Sequence, residues 1–220
     1  MGSVTLICTR HEEYRNCNSF QLLKLIEEVR PEVIFEELSQ SNFDKSYQHE
    51  TLRTLETSAI KQYIANHNIT HIPVDTFPRT REFDESVDRL YSRLTSGITQ
   101  EAFQLRHLID QIQEIAGNYG FDFLNSSAND EYLNKLDTLK LKVLSQLNDE
   151  RLYEIHRTEI QMIEDRENQI LGNIYTYSKE NQFKNGLMFI GSGHRRTILQ
   201  LIKKFDNIEE VKLIWKIYPN

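Results

Sequence analysis

The segment GLMFIGSGH, residues 186–194, decides the fold class of this chain. Its first half is an uninterrupted apolar run, which is typical of a strand buried on both faces of a parallel sheet. Its second half is a glycine turn that leads into a helical pattern with Ile198, Leu201, Ile202 and Phe205 on one face. A strand that turns directly into an amphipathic helix is the building unit of α/β proteins.

Three further short apolar runs precede this segment and one follows it, at residues 4–8, 33–35, 71–75 and 211–217. Helical patterns separate most of them, which predicts an α/β fold with a mostly parallel sheet flanked by helices. Pro73 cannot donate to a strand ladder, so the third run is predicted to lie at an edge or to pair only partly. Lysines are common on edge strands, so Lys212 and Lys216 predict that the last run also lies at an edge of the sheet.

The middle of the chain, residues 82–180, carries no strand pattern and is predicted to be a helical insertion within one α/β domain of residues 1–220. Three amphipathic helices are expected there. Residues 117–129 are predicted to be the loop between the first two. The apolar positions that define the helices are Leu105, Leu108, Ile109, Ile112 and Ile115, then Leu133, Leu136, Val143, Leu144 and Leu147, then Ile160, Ile163, Ile170 and Ile174.

The composition limits the classes of function. The formal net charge is −7, which argues against a general nucleic-acid binder, because such proteins usually carry a basic surface. Two cysteines do not make a disulfide framework, so a reducing compartment is expected. The apolar runs are far shorter than a membrane span. We therefore predict a cytoplasmic protein without a membrane or nucleic-acid partner.

Chemically active side chains follow the predicted strands. His11 lies just after the first run, Glu36 and Glu37 after the second, Asp75 ends the third, and His194 follows the fourth. The carboxyl ends of parallel strands meet at one edge of a sheet, where ligands bind in this class of fold. Each residue alone has an ordinary explanation as a surface, paired or capping group. The occurrence of such residues at the ends of four predicted strands favours a functional pocket that they share.

The third helix of the predicted insertion carries a carboxylate on its apolar face. Glu167 falls between Ile163 and Ile170 at helical spacing, which predicts that it is buried. A buried carboxylate needs a partner or a polar cavity. A structural ion pair and a role in the pocket are both open for Glu167 and the adjacent Arg166. Arg195, beside the glycine turn, is either a pocket residue or part of a solvated helix face.

Several segments together resemble the superfamily of the TraB, PrgY and GumN proteins, which includes the Tiki proteases, the erythromycin esterases and the ChaN-like proteins. Residues 8–11, CTRH, are similar to the family's G-T-x-H, and residues 31–38, PEVIFEEL, to its P-D-V-V-x-x-E-L. The segments DREN at 165–168 and GSGH at 191–194 follow in the family's order. The chain departs from the pattern at Cys8, where the family has glycine.

The resemblance implies a hydrolase that acts on a peptide or ester bond, in some members with a divalent metal. It implies a core of His11, Glu37 and His194, with Glu167 and Arg166 as further catalytic residues. Two imidazoles and a carboxylate can hold a metal and leave a position open for water. Without a metal, a histidine polarised by a carboxylate can act as a general base.

The substrate is expected to be a small molecule or a peptide, contacted by Arg10, Glu36, Asp75 and Arg195. An arginine side chain can bind a substrate carboxylate or stabilise an oxyanion. A non-catalytic ligand-binding or regulatory module on the same fold is the alternative. Haem binding, which the ChaN branch suggests, is a third reading, supported by a single histidine near Tyr14.

Overall fold

The computed structural model describes residues 2–76 and 80–219, and within them the chain forms five strands and eight α-helices. None of these helices is both long and apolar enough to cross a bilayer. The strands are β1 Ser3–Thr9, β2 Val33–Glu36, β3 Thr70–Pro73, β4 Asn185–Gly191 and β5 Ile214–Ile217. The helices are α1 Ser19–Val29, α2 Gln40–Tyr47, α3 Leu55–Ile64, α4 Arg81–Ser96, α5 Gln100–Leu124, α6 Ser127–Leu147, α7 Glu150–Glu180 and α8 Arg195–Ile208.

The five strands form one sheet in the order β3-β2-β4-β1-β5, and every pair is parallel. This confirms the predicted α/β fold class and the edge positions of the third and last strands. The central strand, β4, lies between β2 and β1, although it follows both of them in the chain. The carboxyl ends of β2, β4 and β1 therefore open onto a common crevice.

Side chains alternate across the sheet and build two cores. Leu6 of β1 packs on the face that α7 and α8 cover, with Ile170 and Ile198. Ile7 packs on the opposite face with Ile60 of α3. Successive side chains of a strand point to opposite faces, so each strand contributes to both cores. A third apolar cluster holds α4, α5, α6 and the start of α7 together.

The structure corrects the predicted boundaries in the helical part. Residues 117–129, predicted as a loop, are mostly helical, because α5 continues to Leu124 and α6 begins at Ser127. The chain bends at Gly120, whose φ of 63° lies in the left-handed region that favours glycine. Residues 81–96 form α4, which sequence periodicity did not indicate. Helix α3 begins at Leu55, after the capping residue Thr54.

Asn125, at the end of α5, completes the hydrogen bonding of β1. Strand β5 pairs with β1 only from Ser3 to Leu6, which leaves the backbone of Cys8 without a strand neighbour on that side. The Cys8 N–H donates to Asn125 Oδ1 at 2.7 Å, and Asn125 Nδ2 donates to the Cys8 carbonyl at 2.9 Å. The side-chain amide thus replaces a strand where β1 approaches the crevice.

Candidate active site

Glu37 lies at the centre of a hydrogen-bonded cluster at the carboxyl edge of the sheet. Its Oε2 accepts from the Gly191 N–H at 2.6 Å, and its Oε1 accepts from Arg166 Nη2 at 2.5 Å. Arg166 Nε also donates to Asp75 Oδ2 at 2.8 Å. One arginine of α7 therefore connects the residues that follow β2 and β3, and Glu37 extends the connection to the end of β4.

His194 joins the same cluster from the turn after β4. Its Nδ1 lies 2.6 Å from Glu167 Oε1, and its Nε2 lies 3.5 Å from Glu37 Oε1. The Thr197 hydroxyl donates to Glu167 Oε1 at 2.7 Å. Glu167 is 1% exposed, as its position on the apolar face of the helix predicts. The buried carboxylate fixes the orientation of the imidazole and directs Nε2 towards Glu37.

His11 reaches the crevice from the loop after β1 but has a different partner. Its Nδ1 lies 3.3 Å from Glu56 Oε1, an oxygen that also accepts from the Thr9 hydroxyl at 2.7 Å. The hydrogen bond to Glu56 raises the pKa of His11 to about 9, although the side chain is 58% exposed and water screens the pair. His11, Glu56, Thr9 and Glu37 line a cavity of about 20 Å³, which is room for one water molecule.

The electrostatics of the cluster favour an ionised Glu37. Burial by itself would raise the pKa of this carboxyl group, whose side chain is 5% exposed. The positive charges of His194 and Arg166 outweigh burial, helped by His11 and the Gly191 N–H, so that the pKa of Glu37 lies below its ordinary value. A carboxylate held in this way is a poor proton acceptor near neutral pH and serves better as an electrostatic anchor.

Glu36, predicted to contact substrate, lies outside the hydrogen-bonded cluster of Glu37 but lines the same cavity as His11 and Glu37. It is 2% exposed, and it accepts from the Tyr47 hydroxyl at 2.7 Å while its other oxygen lies 2.7 Å from His71 Nδ1. Burial raises its pKa, against the opposing effect of both partners. Neighbouring residues at a strand end point to opposite faces, so Glu36 and Glu37 cannot both face α7. Glu36 instead anchors α2 through Tyr47.

The two arginines predicted to bind substrate also have other partners. Arg195 is mostly buried and forms an ion pair with Asp130 of α6. The Arg10 guanidinium lies 5.6 Å from the centroid of the Tyr14 ring, and the Tyr14 hydroxyl donates to Glu114 of α5. Arg195 therefore connects the start of α8 to α6, and Arg10 packs near a loop residue that contacts α5. Of the four predicted substrate contacts, the structure brings Asp75 into the Glu37 cluster.

Glu56 is the residue of the site that sequence reasoning missed. Its neighbours Ala59 and Ile60 lie three and four positions further along α3, on the face that packs against the sheet. The same spacing argument that identified Glu167 would have indicated a buried carboxylate at Glu56. Its Oε2 is buried and has no hydrogen-bond partner in the described part of the chain.

The donor set does not fit a divalent metal held by His11, Glu37 and His194. His11 Nδ1 already contacts Glu56 Oε1, at 3.3 Å. Both oxygens of Glu37 already accept from Arg166 and Gly191. Among residues 2–76 and 80–219, no group of three or more histidine, cysteine, aspartate or glutamate side chains has an arrangement that could hold a metal ion.

Comparisons of the chain with protein-family models, with curated proteins and with solved structures gave no match. The resemblance to the TraB and Tiki superfamily therefore stays a prediction based on the four short segments.

A first prediction concerns the pH dependence of stability. A carboxyl group whose pKa is lower in the folded than in the unfolded protein stabilises the fold above its unfolded pKa of about 4.3, and this contribution is lost as the pH falls through the folded value. Glu37 is such a group. We expect the free energy of unfolding to fall less steeply below about pH 4.3 in Glu37→Gln than in the wild type.

Urea denaturation at a series of pH values measures this difference. Glu150→Gln is the matched control, because the Glu150 side chain is 75% exposed and pairs with Arg157 at the surface. An acid dependence of Glu37→Gln that coincides with that of the wild type would show that the ion pairs of Glu37 do not form in solution.

Proposed function

We propose that the chain is a hydrolase that uses His194 and its carboxylate partners, without a metal, to cleave an ester or peptide bond. The observation that supports this most is the continuous series of contacts Glu167–His194–Glu37–Arg166–Asp75 at the carboxyl edge of the sheet. A base with an orienting carboxylate, next to a fixed cation, is the arrangement that hydrolysis of a carbonyl compound requires.

In the proposed reaction, His194 Nε2 takes a proton from a water molecule as the water oxygen attacks the carbonyl carbon. Glu167 holds the Nδ1 proton and stabilises the imidazolium that forms. When the bond to the leaving alkoxide or amine breaks, the imidazolium returns the proton to the leaving group. Glu37 Oε1, 3.5 Å from Nε2, is close enough to accept a hydrogen bond from the same water.

Arg166 stabilises the negative charge that develops on the carbonyl oxygen in this scheme. Its guanidinium has five N–H donors, and the described residues use two of them, for Glu37 and Asp75. These two carboxylates fix the plane of the guanidinium before the substrate arrives, so no reorganisation accompanies the reaction. Glu37 and Asp75 are therefore positioning residues in this proposal.

The second prediction tests the role of His194. The purified chain is assayed on a panel of nitrophenyl esters and fluorogenic peptides, beside the variants His194→Gln and His107→Gln. We expect His194→Gln to lower kcat/KM at least about a hundredfold, which is the usual loss when a general base is removed. His107→Gln changes an exposed histidine of α5 and should match the wild type.

The pH profile of kcat/KM provides a second readout. In Glu167→Gln, the acidic limb of the profile should shift to lower pH, because the partner that stabilises the imidazolium is lost. Full activity of His194→Gln, with both variants folded, would contradict the proposal. Elemental analysis of the active protein tests its metal-free character.

A non-catalytic binding module is the second candidate, and one observation favours it. Glu37 and Asp75 already accept hydrogen bonds from Arg166, and the cavity beside Glu37 has room for one water molecule. A ligand would then act by displacing these internal contacts. Stabilisation of the fold by ligands of the panel, without turnover of any of them, would support this candidate over the hydrolase.

A further inference from the structure

A cleft of about 480 Å³ opens beside His194, on the side of the crevice away from His11 and Glu56. Helices α4, α6 and α7 form its walls, and Gly193 and His194 close its inner end. Its volume is in the range of small-molecule sites. Two clefts of comparable size lie at the opposite edge of the sheet, around Glu32 and Asn185, away from the Glu37 cluster.

The walls of the cleft are apolar and partly exposed. Leu133, Leu136 and Ile163 line it, and Leu141 and Ile160 stand at its rim, 50% and 44% exposed. Apolar side chains that stay exposed around a concave surface mark a place where an apolar group binds. Because these side chains lie next to His194, the cleft could bind the part of a substrate that flanks the scissile bond.

The charged groups of the cleft are unequal in number. Four carboxylates line it, those of Asp137, Glu159, Glu164 and Glu167, against the basic side chains of Lys140 and Arg196. Both basic groups are engaged by Asp137, at 3.7 Å and 2.7 Å. Burial lowers the pKa of His156, the other histidine of the cleft besides His194, so His156 adds no positive charge near neutral pH.

Three of the carboxylates, those of Glu159, Glu164 and Glu167, form no ion pair with a lysine or arginine in the described part of the chain. Glu167, at the inner end, contacts His194 and Thr197 through Oε1, while its Oε2 is buried and has no hydrogen-bond partner in that part of the chain. A buried acceptor without a partner is costly, and a donor on a ligand would remove the cost.

We propose that this cleft binds a substrate that combines an apolar body with a primary ammonium group, as in a peptide or aminoacyl ester with a free amino terminus and apolar side chains. The apolar body packs on Leu136, Ile160 and Ile163. The ammonium group faces Glu164 and Glu167. The assignment as a substrate site rests on the proposed hydrolase, whereas the binding preference can be measured by itself.

The test uses three probes with the same apolar body and no hydrolysable bond, namely 4-phenylbutylamine, 4-phenylbutanol and 5-phenylpentanoate. Isothermal titration calorimetry on the full chain gives the three affinities. We expect the amine to bind at least about ten times more tightly than the alcohol, and the carboxylate to bind most weakly. Equal binding of the three probes, tighter binding of the carboxylate, or no binding of the amine would overturn the proposal.

Paired variants locate the binding to the cleft. Glu164→Gln should weaken amine binding about threefold to tenfold, and Asp165→Asn, which changes the neighbouring residue outside the cleft, should not. Ile160→Ser should lower the affinity for all three probes several-fold. Ile208→Ser, at an exposed position on α8, should leave the three affinities unchanged. Amine binding that none of the cleft variants alters would overturn the proposal.

The outcomes separate this inference from the proposed function. Selective binding of the amine, together with no hydrolysis of any substrate in the panel, would contradict the proposed hydrolase function and support the cleft as a ligand-binding site. Hydrolysis that depends on His194, without tighter binding of the amine, would support the hydrolase function and contradict the proposed preference of the cleft for an ammonium group.

Discussion

Replacement of Arg166 by methionine is expected to lower the free energy of unfolding by about 3–5 kcal/mol. The guanidinium is 17% exposed, and its partners Glu37 and Asp75 are 5% and 7% exposed. Methionine retains the apolar stem but removes the guanidinium that both buried carboxylates contact. The loss of a single partner from a buried ion pair costs much more than the pair itself contributes. Urea denaturation near neutral pH measures the change.

Two further variants make this third prediction specific. Arg157→Met removes an arginine whose ion pair with Glu150 is 64% and 75% exposed, and it should cost less than about 1 kcal/mol. The triple variant Arg166→Met, Glu37→Gln, Asp75→Asn removes the buried charges together and should recover part of the lost stability. A loss below about 1 kcal/mol in Arg166→Met would mean that water enters the crevice and solvates both carboxylates.

Replacement of Asn125 by leucine is expected to cost about 2–6 kcal/mol, because it leaves two polar groups of the Cys8 backbone unpaired. Each group costs about 1–3 kcal/mol when it is buried without a partner. Asn125 is 2% exposed and Cys8 is fully buried, so solvent does not reach these groups in the native fold. Leucine has the same branching as asparagine, although its two methyl groups are larger than the amide oxygen and nitrogen.

Asn168→Leu is the control for this fourth prediction. Asn168 lies on α7, and its amide donates to the Glu164 carbonyl on an exposed part of the helix, so we expect a change within about 0.5 kcal/mol. Amide hydrogen exchange at Cys8 offers an independent readout. An unchanged exchange rate in Asn125→Leu would show that another group replaces the asparagine.

The sequence alone predicted the sheet and the centre of the candidate site, for identifiable reasons. Buried parallel strands are short apolar runs, and the residues that follow them meet at one edge whatever the strand order is. This placed Glu37, Asp75 and His194 together. Glu167 was predicted to be buried because a carboxylate between Ile163 and Ile170 has to face the core.

The rest of the site depends on three-dimensional packing that no local pattern encodes. Whether Glu36 or Glu37 faces α7 follows from the pleat of β2 at its last residue. The pairing of His11 with Glu56 follows from the position of α3. The partner of Arg195 is Asp130 of α6, a helix whose start was predicted to be loop. Electrostatic partners from distant helices are therefore visible only in the structure.

The position of β4 has a consequence for how the chain matures during synthesis. Until β4 has been synthesised, β1 and β2 lack the strand that joins them in the native sheet. The helices of the middle region can form from local contacts during that time. The native sheet therefore requires β4, and the contact between Glu37 and Gly191 can form only after β4 has been synthesised.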